Sequence, residues 1–295
     1  MASSMKRTVL NSCREAARTC SRQVSAPAFI RPFSSSIRRL TEQPAKGSSL
    51  LSSLLHGDPR ARAEGETQVI QHSKLIGRNK YVHEKIVHRV KPDSIEQYKK
   101  AAEKYFTGLA SDPSLKVKLT GSWQTLIGDV DNFVHILEYE NYAGYDSSLA
   151  KWMEHPSLPA ILNQEILPTL HSRHSQLMSE FAFWPSSPPH KQGGVFEMRS
   201  YELVPGTLLE WETAWKRGLE ARKRFVQPAG AWFAQVGQLH EVHHLWQYPN
   251  MAERKMTREQ AWNVGGWSDT VQQTVKLARS MKCAILLPCP WSPLQ

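Results

Sequence analysis

One segment of the chain occurs twice. Residues 121–139, GSWQTLIGDVDNFVHILEY, align without gaps on residues 230–248, GAWFAQVGQLHEVHHLWQY, with Gly121/Gly230, Trp123/Trp232, Gly128/Gly237, His135/His244 and Tyr139/Tyr248 identical. Upstream, residues 90–98 (VKPDSIEQY) align on 203–211 (LVPGTLLEW). A repeat of roughly a hundred residues means that the fold is one supersecondary unit built twice. The Pro- and Gly-containing stretch WPSSPPHKQGG, residues 184–194, separates the copies.

The order of elements within a unit follows from local patterns. YVHEKIVHRV (81–90) and VFEMRSYELV (195–204) interleave β-branched and aromatic residues with polar ones, as strands do. A helix follows each, opened by a capping box, Ser94 with Gln97 and Thr207 with Glu210. Two strands then flank a hairpin at Gly128 or Gly237. Helical patterns cover about 145–173 and 252–280, and a short strand, SEFAFW or AILLP, closes each unit. The order β-α-β-β-α-β predicts an α+β class: two tandem ferredoxin-like units, 77–184 and 195–295, joined by a linker at 185–194. A sheet with helices on one face must bury its other face. The two antiparallel sheets are therefore expected to face each other as a barrel.

This order decides a misleading motif. His240, Glu241 and His244 read H-E-x-x-H, which marks zinc proteases when it lies on a helix. Here the pattern falls on a predicted strand. There the two histidines lie about 13 Å apart, while zinc–nitrogen bonds are about 2.0–2.1 Å long. No metal and no cofactor are expected. No G-x-G-x-x-G, Walker A or G-x-S-x-G pattern occurs either, which weakens the nucleotide and serine-hydrolase readings.

The net charge of +10 suggests an acidic partner until it is located. Residues 1–40 hold eight basic side chains against one acid, so the remainder is nearly balanced. Nucleic-acid binding, which needs a basic folded surface, is not expected. An Arg- and Ser-rich, acid-poor leader without an apolar core reads as a mitochondrial transit peptide. Arg31, Phe33 and Ser36 resemble a two-step mitochondrial cleavage signal, which places the mature start near Thr41 and leaves 41–76 as an extension. Cys13 and Cys20 lie in the leader; Cys283 and Cys289 read as free thiols of a reducing compartment. No run approaches the roughly 18 apolar residues of a membrane span, so the mature chain is expected to be soluble or at most peripheral to a membrane.

The longest specific stretches, GSWQTLIGDVDNFVHILEYE, FEMRSYELVPGTLLEW, QVGQLHEVHHLWQY and AWNVGGW, resemble the NIPSNAP family. The resemblance runs from SSLLHGDPRA (52–61) to the terminal SPLQ (292–295). It implies tandem dimeric α+β barrel units, similar in fold to cofactor-free quinol monooxygenases and haem-degrading enzymes. It also implies a mitochondrial address, in the matrix or at the inner membrane. No reaction is established for such a family, and its animal members are implicated in stress and mitophagy signalling. The expected partners are other proteins, with self-association open.

Parity along the strands supplies a candidate site. Glu197, Arg199 and Tyr201 share one face of their strand, and Val242, His244, Trp246 and Tyr248 share one face of another. Glu84, His88 and His135 occupy the matching places in the first unit. If the apolar faces pack on the helices, these ionisable groups meet inside the barrel. They form either a pocket, with a histidine base, an arginine anion clamp and walls from Trp232 and Trp246, or a structural network that fixes register. Trp123, Trp152, Trp211, Trp215 and Trp262 fall at core spacing. The leader reading predicts that the mitochondrial form begins near Thr41; N-terminal sequencing that returned Met1 or Ala2 would refute it.

Overall fold

Two strand-rich halves account for the residues described, 77–295, in the computed structural model of the chain. The leader at 1–40 and the extension at 41–76 lie outside the described residues. In the first half, β1 (Gly77–Val90) leads into α1 (Ile95–Ser111), the hairpin β2 (Val117–Ile127) and β3 (Asn132–Tyr139), then α2 (Tyr142–Glu154) and β4 (Leu170–Phe181). An irregular helical run at 158–169 connects α2 to β4. The second half repeats this as β5 (Val195–Leu203), α3 (Leu208–Lys223), β6 (Gln227–Val236), β7 (Glu241–Tyr248), α4 (Met251–Trp262), α5 (Trp267–Lys276) and β8 (Ala278–Pro288).

Each half pairs its strands in the ferredoxin-like order, β4-β1-β3-β2 and β8-β5-β7-β6, all antiparallel. The halves join through β2–β8 and β4–β6, which closes an eight-stranded barrel. Closure leaves no strand edge unpaired. The three largest apolar clusters follow. Trp123, Met178, Phe196, Met198, Trp232, Leu245 and Leu286 come from both halves and fill the barrel. Outside it, Tyr98, Phe106 and Leu109 of α1 cover the first sheet, and Trp211, Trp215 and Leu219 of α3 cover the second. The 184–194 linker and the C-terminus also pair: the His190 and Gln295 amides exchange bonds with the Pro293 and His190 carbonyls at 3.0 and 2.9 Å. Leu294 thereby enters the interior cluster, fully buried.

Several local expectations need correction. The final strands are longer than SEFAFW and AILLP, and the helical patterns stop earlier, because β4 and β8 ladder with β1 and β5 along almost their whole length. The backbone ladder holds these polar strands without an apolar pattern. The capping boxes do not form. Ser94 and Thr207 sit at φ −108°, ψ 6° and φ −96°, ψ 4°, not in the extended conformation a cap needs. Their hydroxyls bond instead to Asp93 and to the Val204 carbonyl. The working caps are Asn141 and Asn250, equivalent in the repeat, which accept from the Gly144 and Glu253 amides at 2.8 and 2.9 Å. Trp262, expected in the core, is 53% exposed.

One repeated pair has a steric basis. A Cβ on Gly121 would lie 2.1 Å from the Trp123 ring, and one on Gly230 would lie 2.3 Å from the Trp232 ring. Each indole occupies the place a side chain would take on the glycine two residues before it, so the close approach needs the missing side chain. Gly121→Ala and Gly230→Ala should each destabilise by about 1–3 kcal/mol through overpacking. Urea unfolding checks this, and a variant with wild-type stability in either half would contradict it.

Candidate functional site

The strands present most of the expected site groups to the helices, not to the barrel axis. His88 Nδ1 lies 2.8 Å from the Tyr98 hydroxyl of α1, and His135 Nε2 lies 2.8 Å from the same oxygen. Phe196 and Met198 line the barrel interior, so their alternates Glu197, Arg199 and Tyr201 face α3 and α4. Glu84, His88, His135, Glu197, Arg199, Tyr201, His244 and Trp246 therefore lie outside the barrel, contrary to the parity expectation; only Trp232 is inside. The expectation took the helix-facing side to be apolar. The helices instead offer aromatic residues that can bond polar partners, while the interior takes Phe, Met and Leu beside one polar group around Lys85 and His243.

In the first half, a cavity of about 520 Å³ lies between the sheet and its helices. Tyr105, Phe106 and Leu109 come from α1, Trp152 from α2, and Leu137 from β3. Glu84 on the wall accepts from the Tyr139 hydroxyl at 2.9 Å and the Ser175 hydroxyl at 2.5 Å. Burial, reinforced by Glu84, keeps the Tyr139 phenol protonated far above its ordinary range. Beside it, His88 begins a row of bonded groups: Tyr98, then His135, then Ser122, whose hydroxyl lies 2.8 Å from His135 Nδ1. Burial, and then the Arg173 guanidinium, push His88 down to about 4. His135, stacked on Phe106 with ring centres 3.9 Å apart, is held well below its ordinary value, chiefly by burial. The row is therefore neutral at pH 7. It can relay a proton without carrying a charge.

The repeat places different residues around the same carboxylate in the second half. Glu197 and Tyr248 correspond to Glu84 and Tyr139, but Arg199 replaces Ile86, Arg222 replaces Leu109, Trp246 replaces Leu137, and Trp215 replaces Ala102. Arg254 and Arg258 on α4 stand where α2 has Tyr145 and Leu149. Nitrogens of Arg199 and Arg254 lie 2.8 and 2.9 Å from Glu197 Oε1. Burial alone would raise the Glu197 carboxyl; Arg199 and Arg222 hold it well below the usual range. Arg222 lies over the Trp246 ring at 4.5 Å. Only about 90 Å³ of cavity is left here.

A third polar group was hidden by the same parity error. Inside the barrel, Lys85 Nζ lies 2.9 Å from His243 Nε2, His243 Nδ1 lies 2.7 Å from the Ser200 hydroxyl, and the Gln176 carbonyl oxygen lies 2.8 Å from His243 Nε2. Burial and the Lys85 charge push His243 down to about 4, and burial lowers Lys85 to about 8 against the pull of Glu241. His243 alternates with Leu245, and Lys85 with Val87; that spacing was the available signal. The H-E-x-x-H residues do not share a helix: His240 is in the turn, at φ 62°, and Glu241 begins β7.

His88, His135, His243 and His244 are all held below the ordinary histidine value of 6.5, chiefly by burial. Below pH 6.5 the unfolded chain binds these protons and the folded chain does not, so their contribution is full above pH 6.5 and is lost on acidification. Each can contribute up to about 1.4 kcal/mol per pH unit. The urea midpoint should fall between pH 6.5 and 5, with a shallower slope for His88→Gln or His243→Gln; equal slopes would rule out this cause.

Comparison with known proteins agrees with this architecture. The sequence model described as NIPSNAP matches residues 83–185 and 196–293, one copy per half. The chain is 34% identical over 229 residues to Protein NipSnap of Drosophila melanogaster, covering 76% of this chain and 82% of that one. It is 35% identical over 220 residues to Protein NipSnap homolog 2 of Homo sapiens, covering 70% and 73%. Among solved structures, a putative monooxygenase from Lactobacillus acidophilus matches with a TM-score of 0.53 at 10% identity, covering 71% of this chain and 94% of that one. An anthrone oxidase-like protein matches with a TM-score of 0.53 at 9% identity, covering 72% and 92%. These two likenesses are of fold alone. With both of its halves matched and about a third of the aligned residues shared with animal relatives, the chain belongs to the NIPSNAP family.

Proposed function

We propose that the protein acts in the mitochondrion as a non-catalytic binding and interaction protein whose first half holds a ring-sized, mainly apolar molecule bearing one hydrogen-bond donor. The asymmetry of the two halves carries this reading: one position is a cavity of about 520 Å³ and its repeat is filled by Trp and Arg. Small-molecule pockets commonly occupy about 300–1,000 Å³, with apolar walls and few polar groups. Glu84 has acceptor capacity beyond its two hydroxyl partners. It can take a ligand hydroxyl or amine while Phe106, Leu137 and Trp152 pack on the ring. The basic leader supports the mitochondrial address. The stress and mitophagy role implied by the resemblance fits a protein read out by binding to partners.

A second reading, cofactor-independent oxygenation, is favoured by one observation. Glu84 could take a proton from a phenol-type ligand, and the His88–Tyr98–His135–Ser122 row could carry a proton away. Both readings start from an occupied cavity. Mass spectrometry of molecules that co-purify with the protein from mitochondria should find one small molecule per chain. Leu137→Trp, which copies the second half, should lose it while the urea midpoint stays near wild type, and Glu84→Gln should weaken its retention. A molecule equally abundant in Leu137→Trp would defeat the cavity assignment. Oxygen uptake on adding the identified ligand would favour the second reading over the first.

A further inference from the structure

The second half is tightly filled, yet its polar groups do not satisfy one another. Four guanidiniums, from Arg199, Arg222, Arg254 and Arg258, surround the single carboxylate of Glu197, with N–O separations of 2.8, 3.7, 2.9 and 3.6 Å. Three of them, together with the Cys283 thiol at 3.2 Å, converge on one oxygen, Oε1. Tyr201 and Tyr248 accept from Arg199 and Arg222, but burial keeps both phenols protonated and uncharged. The cluster thus keeps an excess of positive charge around side chains that are 0% and 4% exposed, those of Glu197 and Arg222. Arg199, Arg254 and Arg258 are 16, 19 and 34% exposed, so solvent meets part of this charge; Arg222 is the guanidinium whose burial favours an added anion.

An independent observation comes from His244, which is 2% exposed. Its Nδ1 accepts from the Trp246 indole N–H at 2.7 Å. The neutral imidazole must then carry its proton on Nε2. That nitrogen is buried and has no hydrogen-bond partner, and neither has Arg222 Nε. His244, Arg199, Arg222 and Arg258 all line the remaining cavity of about 90 Å³. No acidic residue lines it; the rest of its wall is largely apolar, with Trp262, Trp267, Val271 and Val275. Unsatisfied donors thus share one small cavity with a largely hydrocarbon wall.

We propose that the second half binds a small monocarboxylate with a short apolar tail, its oxygens on Arg222, Arg258 and His244 Nε2–H and its tail against Trp267 and Val271. The volume is about that of three waters at roughly 30 Å³ each, which suits an anion the size of propionate or butyrate. A phosphate presents oxygens in every direction, and those turned to the apolar wall would stay unpaired. A carboxylate presents them at one end only. The site is separate from the first-half cavity and needs no occupant there.

Trp262 and Trp267 on the wall provide the signal for a test. The full chain is titrated with propionate, butyrate, phosphate and chloride at constant ionic strength, and tryptophan fluorescence is followed. Propionate or butyrate should give a saturable change at one site per chain, while phosphate and chloride give none over the same range. Arg258→Gln should weaken the response at least tenfold. Val275→Trp, placed on a rim position that is 44% exposed, should block entry with every donor intact. It decides the question should Arg258→Gln fail to fold. The proposal is overturned by the absence of a saturable carboxylate response, by tighter binding of phosphate, or by wild-type affinity in Val275→Trp.

Discussion

Everything in this molecule depends on the two ladders that cross between the halves, β2 with β8 and β4 with β6. A four-stranded sheet with helices on one side has two unpaired edges and one bare apolar face. Two such sheets, joined edge to edge, remove all four edges and both faces at once. The interior then belongs to neither half, since Trp123 and Trp232 occupy it together. The demand for a filled, shared core explains the Gly–Trp pair retained in both copies.

Closure also determines where chemistry can sit. Each sheet keeps its own space beneath its helices, and these two spaces can diverge without disturbing the common core. They have diverged around one constant group. Glu84 is met by two hydroxyls in a roomy apolar chamber, and Glu197 by four guanidiniums in a tight one. Arginines at 199, 222, 254 and 258, where the first half has Ile86, Leu109, Tyr145 and Leu149, change a hydrophobic recess into a cationic one, and Trp246 in place of Leu137 fills it. The histidine at 135 and 244 shows the same divergence. With Tyr98 and Ser122 as partners it is a link in a row; with Trp246 as donor it becomes a lone N–H.

The repeat made the architecture legible. Its glycines marked the hairpins, its strand patterns gave the order of elements, and β7 removed the helical reading of H-E-x-x-H. Which face of each strand turned inward was not legible. Both faces are buried here, one on a barrel and one on helices, so polar–apolar alternation carries no label for inside and outside. His243 and His244 are neighbours in sequence yet belong to different compartments. Arg254 and Arg258 escaped notice for another reason: they lie on α4, remote in sequence from Glu197, and only the packing of that helix brings them to it. The expected caps at Ser94 and Thr207 failed on backbone conformation, which a motif does not specify.

The pairing of the C-terminus with the 184–194 linker bears on how such a chain comes to be folded. Leu294 seats in the interior, and β8 supplies the ladder partner of both β2 and β5. A chain emerging N-terminus first therefore has no closed barrel until its last few residues are free. Its first half must wait with the β2 edge and an apolar face uncovered while the second half is still being delivered. Ladders between segments so distant in sequence also form slowly. Barrel closure thus waits for β8, the last strand of the described residues to be delivered. Until then the β2 edge stays open to wrong pairing.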